Sequence, residues 1–390
     1  MKEPSIVLAG GGTAGHVSPL LAIARALQDR HPEALIVAVG TESGMETRLV
    51  PAAGYRLETI ERVPMPRRPG RALLRLPFRF VQAVKHAGDI IERAAADVVV
   101  GVGGYVCTPV YIAARLRGVP VVIHEANARA GLANKVGARI AARVAAAFEG
   151  TGLPRAEVVG MPMRAEIAGL DREAERRSAR IGLGLDPEAR TLVVTGGSSG
   201  AVSMNRAVAD AVAAITRRVP GAQVLHITGR DKQILDDEGR LVTAPGYVQV
   251  EYVDGMERAY AAADLMVCRS GAGTVCELAA VGLPSVLVPL PIGNGEQRHN
   301  GQPLVNAGGA VMVENSEFTA EYFETTVLPL LDDAERLEAM GRRAAAYGKR
   351  DAAEAMARIV EQVIGAPAAG RGGDGGPSDE ASDDEGTGRK

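Results

Sequence analysis

Twice in this chain a short run of buried-strand character ends in a glycine-rich turn and passes straight into a helical pattern. That repetition fixes the class of fold. The first instance is Ser5 to Ala9, ended by Gly10-Gly11-Gly12-Thr13-Ala14-Gly15-His16 and followed by a helix with Leu20, Leu21, Ile23, Ala24 and Leu27 on its inner side. The second opens at Thr191 and breaks at Gly196-Gly197-Ser198-Ser199-Gly200. Apolar runs then recur at 35–39, 97–102, 119–123 and 142–148 in one half, and at 222–228, 247–253, 264–268, 284–290 and 310–313 in the other. Helical stretches separate them, and strands alternating with helices predict a parallel, doubly wound sheet in each half. At 390 residues the chain is long enough for two such cores. The expected division is 1–160 and 161–350, with a hinge between about Phe148 and Asp171 and a final helical stretch, about 351–364, that joins the first lobe.

Composition narrows the function. Hydrophobic residues make up 46% and charged residues 23%, as in a soluble globular protein, while aromatics are 3% and Trp is absent, which disfavours base stacking on nucleic acid. The net charge of -3 resides in the end of the chain, where Asp374, Asp379, Glu380, Asp383, Asp384 and Glu385 face only Arg371, Arg389 and Lys390. The remainder is near neutral and carries no global field for nucleic acid. Residues 366–390 read as a solvated acidic tail. Three cysteines without metal spacing (Cys107, Cys268, Cys276) suit a reducing compartment. Neither a signal peptide nor an apolar run of spanning length is visible, so the protein is expected in the cytoplasm or on a membrane face.

The candidate chemistry gathers at strand ends. Gly10-x-Gly12-x-x-Gly15 matches a dinucleotide fingerprint, with Glu42 available as the acid such a site needs. Similar turns at Gly101-Val102-Gly103-Gly104-Tyr105 and Gly196–Gly200, and His16 directly after the first, speak instead for another phosphate chemistry. A His at a helix N-terminus is held neutral by the dipole, as a general base requires; it also reads as a packed histidine. His124-Glu125-Ala126-Asn127 closes another strand as a polar group suited to sugar hydroxyls or proton transfer, or as an ordinary capped loop. In the second half Asp264 to Asn300 reads as a βαβ unit with a small-residue turn, Arg269 to Thr274. Such a turn and the helix N-terminus behind it expose unpaired N–H groups to phosphate. Thr274 and Glu277 share one helix face there, and a carboxylate at that point can take both hydroxyls of a ribose. Arg164 in the hinge could reach a phosphate, and Gln297 and Asn300 could bind a sugar as amides. No acid, histidine or cysteine set has metal-ligand spacing, so no metal is expected.

Residues 62–86 contain seven Lys or Arg and no acid, threaded with Leu73, Leu74, Leu76, Phe78, Phe80 and Val81. Such a mixture reads as an interfacial contact with anionic lipid, or as a packed helix with a solvated basic face.

Taken in order, GGTAGHVSPL, GVGGYV, HEANARAGLANK, GMPMR, TGGSSGA, CRSGAGTVCELAAVGLPSVLVPLP and GNGEQRHN resemble the MurG family, the UDP-N-acetylglucosamine:lipid I N-acetylglucosaminyltransferases of peptidoglycan synthesis. The likeness spans nearly the whole chain apart from the tail. It implies a GT-B fold, two Rossmann-like domains facing across a cleft, and inverting, metal-independent transfer from UDP-GlcNAc to lipid I without a cofactor. It also implies a peripheral seat on the cytoplasmic face of the cell membrane and partners among cell-wall synthesis or division proteins. By motif, it places Thr13, Ala14, Gly15, Asn127, Arg164, Ser198, Thr274, Glu277 and Gln297 on UDP-GlcNAc. Gly103, Gly104, Tyr105 and Asn134 fall on the acceptor, and His16 or Glu125 is the base. Leu73, Leu74, Arg75, Phe78, Arg79 and Phe80 would face the membrane. Two positions depart from the family, Ala14 where Gly is frequent and Glu296-Gln297 where many members have paired Gln; the second puts Glu296, not Gln297, in question as a sugar ligand. A UDP-GlcNAc 2-epimerase, a nicotinamide dehydrogenase and a non-catalytic lipid binder are the competing readings, and the basic, apolar stretch 62–86 disfavours the epimerase.

Overall fold

The computed structural model describes residues 3–63, 71–197, 200–292 and 294–366, the side chains of 71–75 and 216 excepted. The first lobe is a seven-stranded sheet of β1 (Ser5–Ala9), β2 (Leu35–Gly40), β3 (Arg56–Thr59), β4 (Val98–Gly101), β5 (Val121–Glu125), β6 (Arg143–Ala146) and β7 (Ala156–Val158). The second has six strands: β8 (Thr191–Thr195), β9 (Gln223–Ile227), β10 (Tyr247–Val250), β11 (Leu265–Cys268), β12 (Ser285–Leu287) and β13 (Ala310–Met312). All pairings are parallel, in the orders β3-β2-β1-β4-β5-β6-β7 and β10-β9-β8-β11-β12-β13. The two α/β lobes expected from the repeated strand-to-glycine pattern are therefore present.

Burial explains which strands were legible. Central strands such as β1, β4 and β8 are buried along their whole length. They therefore read as unbroken apolar runs, as a sheet covered on both faces demands. β3 and β7, absent from the sequence reading, are short edge strands with half-exposed, polar-rich sequences (RLET and AEV).

Helices α1 (Ala14–Arg30), α2 (Arg71–Arg93) and α3 (Cys107–Leu116) belong to the first lobe. In the second lobe α4 (Arg172–Gly182), α5 (Met256–Ala262), α6 (Ala272–Val281), α7 (Glu296–Asn306) and α8 (Ala334–Tyr347) are the ones that matter here. The last helix, α9 (Ala352–Gly365), returns to the first lobe. Its Met356, Ala357 and Val360 share a core with Ile6, Leu8, Leu20, Ile23 and Leu27. At its far end the Glu361 carboxylate takes both Arg30 Nε and Nη2 at 2.7 Å. Two strands of chain thus cross between the lobes. They touch at Gly160 (φ +92°), where a Cβ would lie 2.7 Å from that of Lys349.

Candidate active site

In each sheet the strand order reverses once, between β1 and β4 and between β8 and β11. Ligands of such sheets collect beyond the carboxyl ends of the strands at that reversal. In the first lobe the turns after β1 and β4 press together there: a Cβ on Gly104 (φ +95°) would stand 2.7 Å from the Gly11 carbonyl oxygen. One on Gly103 (φ +101°) would stand 3.1 Å from Cδ2 and Nε2 of His16. His16, in the first turn of α1, lies half-buried over Gly103, with Thr13 Oγ1 3.2 Å from its Nδ1. Burial lowers the imidazole pKa below its ordinary value; the carboxylates of Glu125, Glu296 and Glu46 and the Gly11 carbonyl pull the other way. Glu296 belongs to the second lobe, so His16 senses charge from across the cleft.

The first glycine turn is already occupied by an anion of the chain's own. The Glu46 carboxylate is fully buried and accepts the N–H of Gly12 at 2.8 Å, and both the N–H and the hydroxyl of Thr41 at 2.8 Å. Cβ atoms on Gly11, Gly40 or Gly44 would come within 2.4 Å of this side chain, which is why three glycines surround it. Burial pushes its pKa up, but the N–H groups of Gly12 and Thr41 outweigh that and hold it below the usual range. Glu42, the acid that the dinucleotide fingerprint would have used, is exposed. The readable signal for Glu46 was the pair Gly40 and Gly44 beside an acid at the end of a strand.

The polar group after β5 divides into separate roles. His124 is wholly buried, lowered in pKa by that burial, and its Nε2 lies 2.8 Å from the Gly160 carbonyl. Glu125 is 2% exposed and accepts from Asn127 N (2.9 Å), Asn127 Nδ2 (3.3 Å), Gly131 N (3.0 Å) and Asn134 Nδ2 (2.9 Å). A carboxylate engaged four times holds its loop in shape and is poorly placed to take a proton. Asn134 is buried as well: its amide N–H groups go to Glu125 and the His124 carbonyl, and its Oδ1 accepts from Tyr111 at 2.8 Å. Its amide hydrogens are thus engaged within the lobe, beside the Gly103 turn. Asn127 instead meets the second lobe, through Asn300.

In the second lobe Gly271 caps α6 without any side-chain hydrogen bond, and a Cβ on Gly273 would meet open space. The first N–H groups of this helix are therefore available to an anion. One turn on, Glu277 accepts from Tyr260 Oη at 2.6 Å, beside half-buried Thr274. Burial raises the Glu277 pKa, against the pull of the Tyr260 hydroxyl and of Arg164. Arg164 itself is exposed and 3.4 Å from Glu257. Gln297, half-buried near the start of α7, accepts the N–H of Leu290 at 2.9 Å. Arg269, which the sequence reading passed over, is buried and donates from Nη1 to the carbonyls of Val288 and Pro289, both at 3.1 Å, so it ties the turn before α6 to the polar loop before α7. Ser198 lies outside the described residues. Among those described, no cluster of three or more His, Cys, Asp or Glu is arranged to hold a metal.

The basic, apolar segment divides along α2. Ala83, Ala87, Ile90 and Ile91 are buried, so the C-terminal half is a packed helix, whereas Phe78 (67% exposed) and Val81 (64%) stand in solvent. Phe80 is half-buried. Arg79 donates to Glu61 at 2.7 Å and to the Arg62 carbonyl at 3.0 Å, in an ion pair open to solvent. The side chains of Leu73, Leu74 and Arg75 lie outside the described residues. Arg62 stacks over the exposed Tyr105 ring at 5.5 Å, which joins this edge to the glycine turn after β4. No described helix is long and apolar enough to cross a membrane.

Two doubly wound lobes, their strand-order reversals facing one cleft and an uncapped helix N-terminus beside a buried carboxylate on one side, define a GT-B type fold. The glycosyltransferase family 28 N-terminal domain matches residues 6–146 and the family 28 C-terminal domain residues 191–356. A UDP-N-acetylglucosamine–N-acetylmuramyl-(pentapeptide) pyrophosphoryl-undecaprenol N-acetylglucosamine transferase of Paenarthrobacter aurescens is 59% identical over 365 residues, 94% of this chain and 98% of that one. The chain belongs to the MurG family within glycosyltransferase family 28. The Mycobacterium tuberculosis protein of the same name is 54% identical over 367 residues, covering 92% and 89% of the two chains. Among solved structures, Acinetobacter baumannii MurG superposes with a TM-score of 0.75 at 28% identity, over 93% of this chain and 100% of that chain. A Neisseria meningitidis UDP-GlcNAc 2-epimerase superposes at 0.63 with 13% identity over 92% and 99%, a likeness of fold alone.

Proposed function

We infer that this chain transfers N-acetylglucosamine from UDP-GlcNAc to the muramyl 4-hydroxyl of lipid I, with inversion at the anomeric carbon, giving lipid II. What carries the reading is the unequal state of the two glycine turns. In the first, the buried Glu46 carboxylate takes the Gly12 N–H, and its charge repels a diphosphate at that turn. The N-terminus of α6 remains free, so the donor's diphosphate belongs in the second lobe.

In this reading Glu277, oriented by Tyr260, takes the ribose hydroxyls, and Thr274, the α6 N–H groups, Ser198 and Arg164 meet the diphosphate. Gln297 and Asn127 approach the hexosamine, and Thr13, Ala14 and Gly15 close over it from the first lobe. Gly103, Gly104 and Tyr105 receive the acceptor's pyrophosphate. His16 is the base, because it is held neutral beside the cleft while Glu125 is committed to its loop. The base takes the proton of the attacking hydroxyl, and charge growing on UDP is met by preorganised dipoles and Arg164. Phe78 and Val81 rest on an anionic lipid surface at the cytoplasmic face, which brings the cleft to a membrane-borne acceptor.

Radiolabelled UDP-GlcNAc incubated with a soluble lipid I analogue, with and without EDTA, tests this. Labelled disaccharide product forms in both arms. A chain that binds UDP yet makes no product, or one that EDTA silences and magnesium restores, would overturn it.

A further inference from the structure

A second polar cavity, of about 710 Å³, opens at the other end of the second sheet, lined by six arginines and four carboxylates. Arg190, Asp264 and Pro284, each just before a strand, mark its floor at the N-terminal ends of β8, β11 and β12. The nucleotide site lies beyond the opposite ends of the same strands, so this cavity is not part of it.

Its inner wall carries unbalanced charge. Three guanidinium groups of α4, those of Arg172, Arg176 and Arg180, surround a single carboxylate, Asp264. Arg180 is buried and takes Asp264 Oδ2 at 2.7 Å, an oxygen that also accepts the N–H of Thr191 at 2.7 Å. Arg172 donates to the carbonyls of Tyr260, Gly282 and Ala263, which satisfy its hydrogens but not its charge. Arg176 is left over: its Nε is 3.9 Å from Asp264 Oδ1 and is buried without a hydrogen-bond partner. Burial and the neighbouring Arg176 draw the Arg172 pKa down to about 10. The outer arginines are matched, Arg177 with Glu188, Arg342 with Glu338 and Arg190 with Asp332. Glu173 is exposed, with no basic partner among the described residues.

We propose that this cavity is a binding site for a phosphate-bearing anion, seated on Arg176 and drawn by the surplus of α4. With Glu173 counted, the six guanidinium groups meet five carboxylates, Asp332 among them, and one positive charge is left over, at Arg176. A phosphate group is anionic at neutral pH and brings several acceptor oxygens to the unpartnered Arg176 Nε. Planar guanidinium forks also match phosphate oxygens two at a time. The ligand's phosphate is either that of a soluble metabolite or that of a lipid headgroup, since both present the same oxygens.

The test uses the full chain with its nucleotide site saturated by UDP, whose own affinity is measured first so that failure at the nucleotide site is recognised separately. Calorimetric titration with inorganic pyrophosphate then shows binding beyond the acceptor turn at Gly103 and Gly104, recognised by its dependence on Arg176. Arg176→Ala weakens that site by about tenfold or more while leaving UDP affinity unchanged. Arg342→Ala, on the α8 wall and paired only within its own helix, provides a second variant should the first not fold. Phosphatidylglycerol vesicles that displace pyrophosphate identify a lipid source, and vesicles that do not identify a soluble one. No binding beyond the UDP site, or equal binding by wild type and both variants, would overturn the proposal.

Discussion

Asn300 Nδ2 donates to Asn127 Oδ1 at 3.3 Å, and Asn300 Oδ1 accepts the N–H of Ala128 at 2.8 Å. One buried amide on α7 is thereby bonded twice to the loop that follows β5, and the clasp joins the two lobes at the cleft. Glu125 shapes that loop from behind, so the bond transmits the order of one sheet edge to the other. An Asn300→Ala chain loses both bonds and strands a backbone N–H, a cost of about 1–3 kcal/mol. Turnover falls roughly tenfold, while UDP binding, proposed to be made within the second lobe, changes little. Steady-state kinetics beside UDP titration decides it, and a parallel loss of UDP affinity would refute a clasping role.

His16→Ala lowers kcat by about 10²- to 10⁴-fold, the usual contribution of a general base, without weakening UDP binding. The pH profile adds an independent mark. Because burial lowers the His16 pKa, the neutral ring persists below the ordinary value near 6.5, and the acid limb of kcat/KM lies on that lower side. A limb at or above the ordinary histidine value counts against His16.

Glu46→Ala leaves the N–H of Gly12 and two donors of Thr41 without their acceptor in a buried place. Stability falls by about 3 kcal/mol or more, read by denaturant unfolding. The sign with pH follows from its depressed folded pKa. The contribution is present above the ordinary glutamate range and is lost as pH drops through the lower folded value. Glu46→Gln flattens that acid loss.

For Glu277 the shift has the other sign. Its folded pKa is raised, so the carboxylate proposed to accept the ribose hydroxyls begins to protonate at higher pH than an ordinary glutamate. UDP affinity therefore weakens on acidification from above that range. Glu277→Gln binds UDP about tenfold or more weakly at neutral pH and loses this dependence. Tyr260→Phe shows a smaller loss of the same kind.

Phe78→Ser with Val81→Ser removes the large apolar side chains of α2 that are exposed among the described residues. Binding to phosphatidylglycerol vesicles in a flotation assay falls several-fold, and transfer to a soluble acceptor is unaffected. Equal flotation by the double variant and the wild type would remove α2 from the membrane contact.

Much of the architecture could be read from the order of residues alone. Central parallel strands are buried on both faces, so Val7, Val99 and Val193 sit in unbroken apolar runs, and glycine turns mark where each run meets a helix. The edge strands at Arg56 and Ala156 escaped because one side of them meets water, which removes the apolar signature. The polar, glycine-rich lining of the cleft was legible as residue types, His16, Glu277 and Gln297 among them, because strand ends and helix starts that face a cleft break the apolar runs. Occupancy was not. Whether a carboxylate is free or spent depends on donors distant in sequence: Glu46 is consumed by Gly12, 34 positions away, and Asn300 reaches Asn127 across 173. Arg172, Arg176 and Arg180 of α4 look like a solvated helix face until the start of β11 brings Asp264 beneath them. Local pattern decided which elements form and where they turn; only packing decided which polar groups remain for a ligand, because hydrogen bonds saturate and charges balance in space rather than along the chain.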